Sequence, residues 1–89
     1  MRTPVYTRQF ERDIKKGRKR GKNLEKFKII ARSLVEGKKL DPLHRDHQLI
    51  GNYAGRRECH IEADWLLIYK LTKGQVIFER TGSHADLFE

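Results

Sequence analysis

Sulfur chemistry is nearly absent from this chain. A single cysteine, Cys59, permits no intramolecular disulfide. On the apolar side of a strand it reads as a small buried hydrophobe in a reducing compartment. No apolar stretch approaches the length of a membrane span, and the N-terminus lacks the apolar centre of a signal peptide, so the cytoplasm is the expected location. Paired cysteines and the H-E-x-x-H pattern are missing too. The histidines His44, His47, His60 and His84, with Cys59, are therefore a weak basis for a metal site, and no metal or other cofactor is expected. Apolar residues make up only 37% of the 89 positions, enough for one small core and one domain spanning 1–89.

What is abundant is positive charge, and it is unevenly placed. Residues 1–40 hold fourteen Lys/Arg against four Asp/Glu, whereas residues 41–89 hold six against eight. The excess is densest from Lys15 to Lys22, where Lys15, Lys16, Arg18 and Lys19 are candidate contacts to a polyanion, nucleic acid first among them. A solvated helix is the plainer reading of such a run.

Pattern gives the elements. Pro4-Val5-Tyr6 is extended and suits an edge strand. Thr7 is placed to cap a helix with Phe10 and Ile14 on its inner face, and Asn23 a second helix with Leu24, Phe27, Ile30, Ala31 and Leu34. Gly37 is expected as a left-handed C-terminal cap, and Asp41-Pro42 prevents continuation. Gln48-Leu49-Ile50 suits a short strand. From Glu58 to Asp64 the residues alternate, with Cys59, Ile61 and Ala63 on one side and Glu58, His60, Glu62 and Asp64 on the other. The apolar run Trp65–Leu71 follows, then a Lys73-Gly74 turn and the strand Val76–Arg80. Ser83 can cap a last helical turn tethered by Leu87-Phe88. The order β-α-α-β-β-β-β predicts an α+β fold: a helical hairpin on one face of a mainly antiparallel sheet of four to five strands, with the other face free and bearing His60.

Cutting RNA without a metal requires a base for the 2′-hydroxyl, an acid for the leaving 5′-oxygen and a cation for the phosphorane. His60, Asp64 and His84 could move protons, and Arg80 has the guanidinium fork that fits a phosphate. Trp65, Tyr69 and Phe88 are candidates for stacking on bases. Each has a plainer role: Trp65 and Tyr69 as core, Asp64 as a turn residue, Arg80 as a partner of Glu79 or Glu58.

Three blocks together carry a resemblance. The runs D-H-Q-L-I-G (46–51), R-E-C-H-I-E-A-D-W-L-L-I-Y-K-L (57–71) and F-E-R-T-G-S-H-A-D-L-F (78–88) resemble those of the YafQ toxins, in the RelE-like branch of bacterial type II toxin–antitoxin systems. The resemblance implies a RelE-like α+β domain and a toxin that cuts mRNA in the ribosomal A site, by 2′-hydroxyl attack and without a metal. It also implies a cognate antitoxin, through which alone the toxin would reach operator DNA. By motif it places His47, His60, Asp64 and His84 among the acid–base and substrate-positioning residues, Arg80 as transition-state cation and Phe88 as an mRNA contact. Trp65 matches a motif position that could equally be structural. Ala63 departs from the family's E-P-D-W, which would alter the turn and leave the chemistry. Two other classes stand beside this one: a ribosome- or RNA-binding inhibitor that does not cut, and the gyrase-poisoning ParE type, which lacks the His/Asp/Arg set.

Overall fold

The computed structural model describes residues 1–88. Its elements follow the expected order: β1 (Thr3–Tyr6), α1 (Arg8–Lys19), α2 (Leu24–Val35), β2 (His47–Gln48), β3 (Arg57–Glu62), β4 (Trp65–Leu71), β5 (Gln75–Gly82) and α3 (His84–Phe88). The strands form one sheet in the order β1-β5-β4-β3-β2, antiparallel except for the parallel pair β1–β5. This is an α+β architecture.

The helix starts are set by side chains. Thr7 Oγ1 accepts from the Phe10 amide at 3.0 Å and Asn23 Oδ1 from the Glu25 amide at 3.0 Å, each satisfying a donor that the first turn cannot. Gly37 sits at φ 75°, the left-handed cap that ends α2. Gly17 does not break α1, which runs on to Lys19.

Both helices lie on the same face of the sheet. Phe10, Phe27, Ile30 and Leu34 meet Cys59, Leu67, Tyr69 and Phe78 in the main core. Phe27 packs edge-on to Phe78 with ring centroids 5.2 Å apart. Burying each large side chain there contributes about 2–3 kcal/mol. The opposite face is less open than expected: Leu66 and Ile68 are covered by Leu87 of α3 and flanked by Leu49 and Tyr53. α3 is held by Ser83, whose Oγ accepts from the Asp86 amide at 3.1 Å while Asp86 Oδ2 accepts from the Ser83 amide at 3.0 Å, a reciprocal cap.

Three features depart from strict alternation. The short strand is His47–Gln48, one residue earlier than its expected start, because Asp46 rather than Ile50 is the anchored residue (below). Between His60 and Glu62 the register to β4 shifts. Glu62 consequently turns toward α2, where its carboxylate meets Lys26 at 2.6 Å and Lys22 at 3.6 Å, instead of joining His60 on the open face. A second shift leaves Glu79 unpaired between Phe78 (opposite Tyr69) and Arg80 (opposite Ile68). Continued alternation from Val76 and Phe78 would have driven Arg80 into the core. The extra residue instead sends Thr81 inward and Arg80 to the other side.

Candidate active site

The open face is built along a cross-strand row. His47 of β2 lies opposite Glu58 of β3, Glu58 opposite Ile68 of β4, and Ile68 opposite Arg80 of β5. Residues directly opposite one another share a face. The next row holds His60, opposite Leu66, which in turn lies opposite Gly82. The two-residue turn Ala63-Asp64 joins β3 to β4 and places Asp64 under the first residue of α3, His84.

Asp64 Oδ1 accepts from both the amide and Nδ1 of His84, at 3.0 and 3.1 Å. The amide bond and then the ring bond hold the Asp64 carboxyl below its ordinary value. An ionised Asp64 therefore orients the His84 ring with Nδ1 donating and Nε2 directed away. The His60 and His84 rings are neighbours, tilted by 57° with centroids 6.0 Å apart. Phe88, 44% exposed, lies 6.0 Å from His84 and packs edge-on to Tyr53 at 5.7 Å. The two imidazoles thus lie side by side on this face, with the exposed Phe88 ring next to His84 and with Leu66 and Ile68 buried beneath α3.

Glu58 is the residue that sequence reasoning left out. It is only 4% exposed, and its Oε1 stands 3.5 Å from His47 Nε2 and 3.6 Å from His60 Nε2. His47 Nδ1 donates to the Arg45 carbonyl at 2.6 Å and His60 Nδ1 toward the Ala63 carbonyl at 3.4 Å, so both rings present Nε2 to the same carboxylate. Each contact is an ion pair whenever the ring carries a proton there. The signal was available: Glu58 is an acid on the same strand face as His60, two residues away.

Arg80 pairs with neither Glu79 nor Glu58. Its Nε and Nη2 donate to Asp13 of α1 at 2.8 and 3.4 Å, and Glu79 takes Arg56 instead, at 2.9 Å. The bond to Asp13 raises the affinity of the guanidinium for its proton above the ordinary value. Asp13 uses two of the five donors of the fork. Asp46, the residue before His47, is anchored likewise: its carboxylate accepts from Arg57 at 3.3 and 3.2 Å and from the Tyr69 hydroxyl. Burial, then this bond, raises the Tyr69 hydroxyl far above its usual range. Tyr69 is thus a buried anchor rather than a stacking platform. His44 has a structural role as well, Nδ1 donating to the His60 carbonyl at 2.7 Å.

Trp65 is corrected outright. At 2% exposure in the main core, with Nε1 donating to Thr81 Oγ1 at 2.9 Å, it offers no face to a base. The basic run also divides. Lys16 and Arg20, four residues apart, share one side of α1 and both reach Asp86, at 3.6 and 2.7 Å. Lys15 and Arg18, three apart, border a groove between α1 and α2 beside Ile14 and Leu24. Lys19 is exposed between these sides. The four cations do not make one patch.

Among the described residues no three His, Cys, Asp or Glu side chains converge as a metal ligand set, and no helix is long and apolar enough to cross a membrane.

Residues 2–89 match the family model described as the bacterial toxin of the type II toxin–antitoxin system, YafQ. The chain is 43% identical over 84 residues to the mRNA interferase toxin YafQ of Escherichia coli K12, covering 93% of this chain and 91% of that protein. The fold superposes on the toxin in the crystal structure of the E. coli DinJ–YafQ complex with a TM-score of 0.93 at 41% identity, over the full length of both chains. A metal-bound toxin from Helicobacter pylori gives a TM-score of 0.93 at 33% identity, over 99% of this chain and 100% of that one.

Proposed function

Because the chain belongs to the YafQ family of toxins of bacterial type II toxin–antitoxin systems, we propose that it is an mRNA interferase, a toxin that cuts message in the ribosomal A site and so stops translation. The observation that supports this most directly is the His60–His84 pair, with ring centroids 6.0 Å apart on the sheet face and each ring against a carboxylate.

The chemistry follows from those groups. One imidazole takes the proton of the 2′-hydroxyl, whose oxygen attacks the adjacent phosphorus. The other delivers a proton to the departing 5′-oxygen, leaving a 2′,3′-cyclic phosphate on one fragment and a 5′-hydroxyl on the other. Glu58 and Asp64 stabilise the imidazolium forms and fix ring direction, and His47 enters from β2 as a second proton-bearing group on Glu58. Arg80, set by Asp13, supplies the cation for the extra charge on the phosphorane. Phe88 stacks on an unpaired base beside His84. No step requires a metal. A cognate antitoxin neutralises the toxin, a partnership supported by the DinJ–YafQ complex of the E. coli relative, and only through that antitoxin does the toxin reach operator DNA.

Cell-free translation with primer extension on the message tests the proposal. Wild type should give cuts at the A-site codon, and His84→Ala should lower cutting by about 10²–10⁴-fold, the usual worth of a proton-transfer group. Arrested translation on intact message would sink the cleavage reading in favour of a ribosome-binding inhibitor.

A further inference from the structure

Behind Asp64 lies a cleft, of about 300 Å3, that the proposed chemistry does not use. Its walls come from α1 (Lys16, Gly17), the turn after it (Arg20, Lys22), the start of β4 and the segment Thr81–Ser83. It shares Asp64 with the His60–His84 site, so the two are adjacent along the surface.

The charge around it is organised. Asp86 receives two cations, Arg20 at 2.7 Å and Lys16 at 3.6 Å. Glu62 also receives two, Lys26 at 2.6 Å and Lys22 at 3.6 Å. Each carboxylate is over-compensated by one charge, and Lys16, Arg20 and Lys22 of these groups line the cleft. Of the other acids there, Asp13 is paired with Arg80, while Asp64 accepts from His84 and keeps its charge, which leaves a net surplus of one positive charge around the cleft. Lys22 is further placed by Trp65, its ammonium 5.7 Å from the ring centroid. The carboxylates thus hold the cations in position before any ligand arrives, which lowers the ordering cost of binding an anion. The cations remain open to solvent, with side-chain exposures of 59% for Lys16, 47% for Arg20 and 34% for Lys22. Pairs so exposed contribute little to stability, and a positioning role for an anion accounts for their convergence better.

We propose that this cleft is a phosphate subsite, in which Lys16, Arg20 and Lys22 grip the message phosphate next to the scissile one. The proposal rests on the reading of the chain as an mRNA interferase. A strand lying over His60 and His84 passes Asp64 on leaving them, and its next phosphate meets the positive charge there. Holding the backbone on one side of the cut fixes the 2′-hydroxyl in line with the phosphorus, where small misplacements are expensive.

Messages carrying one neutral methylphosphonate at each linkage flanking the cut provide the test, on programmed ribosomes with sub-saturating toxin. In wild type, one flanking linkage should be sensitive, its neutralisation slowing cleavage by about tenfold, the effect of one charge-assisted contact of about 1.4 kcal/mol. In Lys22→Gln, and separately in Lys16→Gln, the unmodified message should be cut about two- to threefold more slowly, and the same methylphosphonate should then cost about that factor less than in wild type. Losses that multiply at every linkage would overturn the subsite and place these lysines on ribosomal RNA or on the antitoxin, as would a wild type indifferent to every flanking linkage. A wild type that cuts no unmodified message at all would instead remove the interferase reading, and the subsite with it. Urea denaturation of both variants should match wild type, so a loss of cleavage is not a loss of fold.

Discussion

The two faces of the sheet solve opposite problems with the same types of residue. On the helix-covered face carboxylates are anchors: Asp13 is 9% exposed and holds Arg80 and the Thr81 amide, and Asp46 holds Arg57 and Tyr69. On the open face Glu58 and Asp64 meet histidine rings, the side chains suited to general acid–base work. Fixed partners on one side make a frame; titratable partners on the other make a site. The two are joined at the sheet edges, where Asp13 sets a side chain of the open face and Asp46 the residue just before one. The packed face therefore governs the geometry of the reactive one, and the two can be separated by substitution.

Trp65→Ala is the largest test of that division. It should cost about 3–5 kcal/mol in urea denaturation, a substantial part of a small domain's stability. Trp65→Phe should keep most cleavage despite losing the bond to Thr81. A fully stable Trp65→Ala that fails to bind RNA would return this ring to the substrate side. Asp13→Ala comes next. It strands the Thr81 amide and leaves Arg80 without its partner, for a loss of about 2–3 kcal/mol measured in the same way, with cleavage falling further than stability explains. An unchanged cleavage rate would show that Arg80 does not need to be aimed.

Tyr69→Phe removes one hydrogen bond from Asp46 and should cost about 1 kcal/mol. If Asp46 positions His47, the pH profile of cleavage should move in this variant, and an identical profile would uncouple the two. The smallest effect concerns acid. The Arg20 guanidinium, then the Ser83 amide, hold the Asp86 carboxyl far below its ordinary value. A depressed carboxyl stabilises the fold above its unfolded value of about 3.9, and that contribution disappears as pH falls toward the folded value. Wild type should thus exceed Asp86→Asn by about 1 kcal/mol from pH 7 to 5, with the gap closing below pH 4. A gap independent of pH would argue that Asp86 acts through shape alone.

Local rules carried much of the fold. Thr7, Asn23 and Gly37 announce the helix ends, and the hydrophobic periods of 10–14 and 24–34 announce the inner faces, because caps and stripes depend on near neighbours. What escaped was non-local. Nothing near Arg80 in the sequence points to Asp13, 67 residues away. Strict alternation misplaced Glu62, because a register shift depends on the partner strand. Trp65 could be either core or platform until Thr81 was seen beneath its indole nitrogen. The basic run had more to offer: a 3.6-residue period separates Lys16 and Arg20 from Lys15 and Arg18, and pairs Arg20 with the site that Lys16 faces.

The junction of α1 and β5 has one more consequence. β1 ends opposite Phe78, yet β5 continues to Gly82, so the strand outlasts its neighbour by four residues. A bare margin of that kind invites another chain to add a strand and seed aggregates. Here α1 occupies it: the Thr7 hydroxyl donates to the Glu79 carbonyl at 3.0 Å, and Asp13 accepts from the Thr81 amide at 3.1 Å. The same carboxylate that aims an arginine also keeps the sheet from growing. Substitutions at Asp13 accordingly threaten solubility as well as catalysis, and a poorly soluble variant here should not be mistaken for a misfolded one.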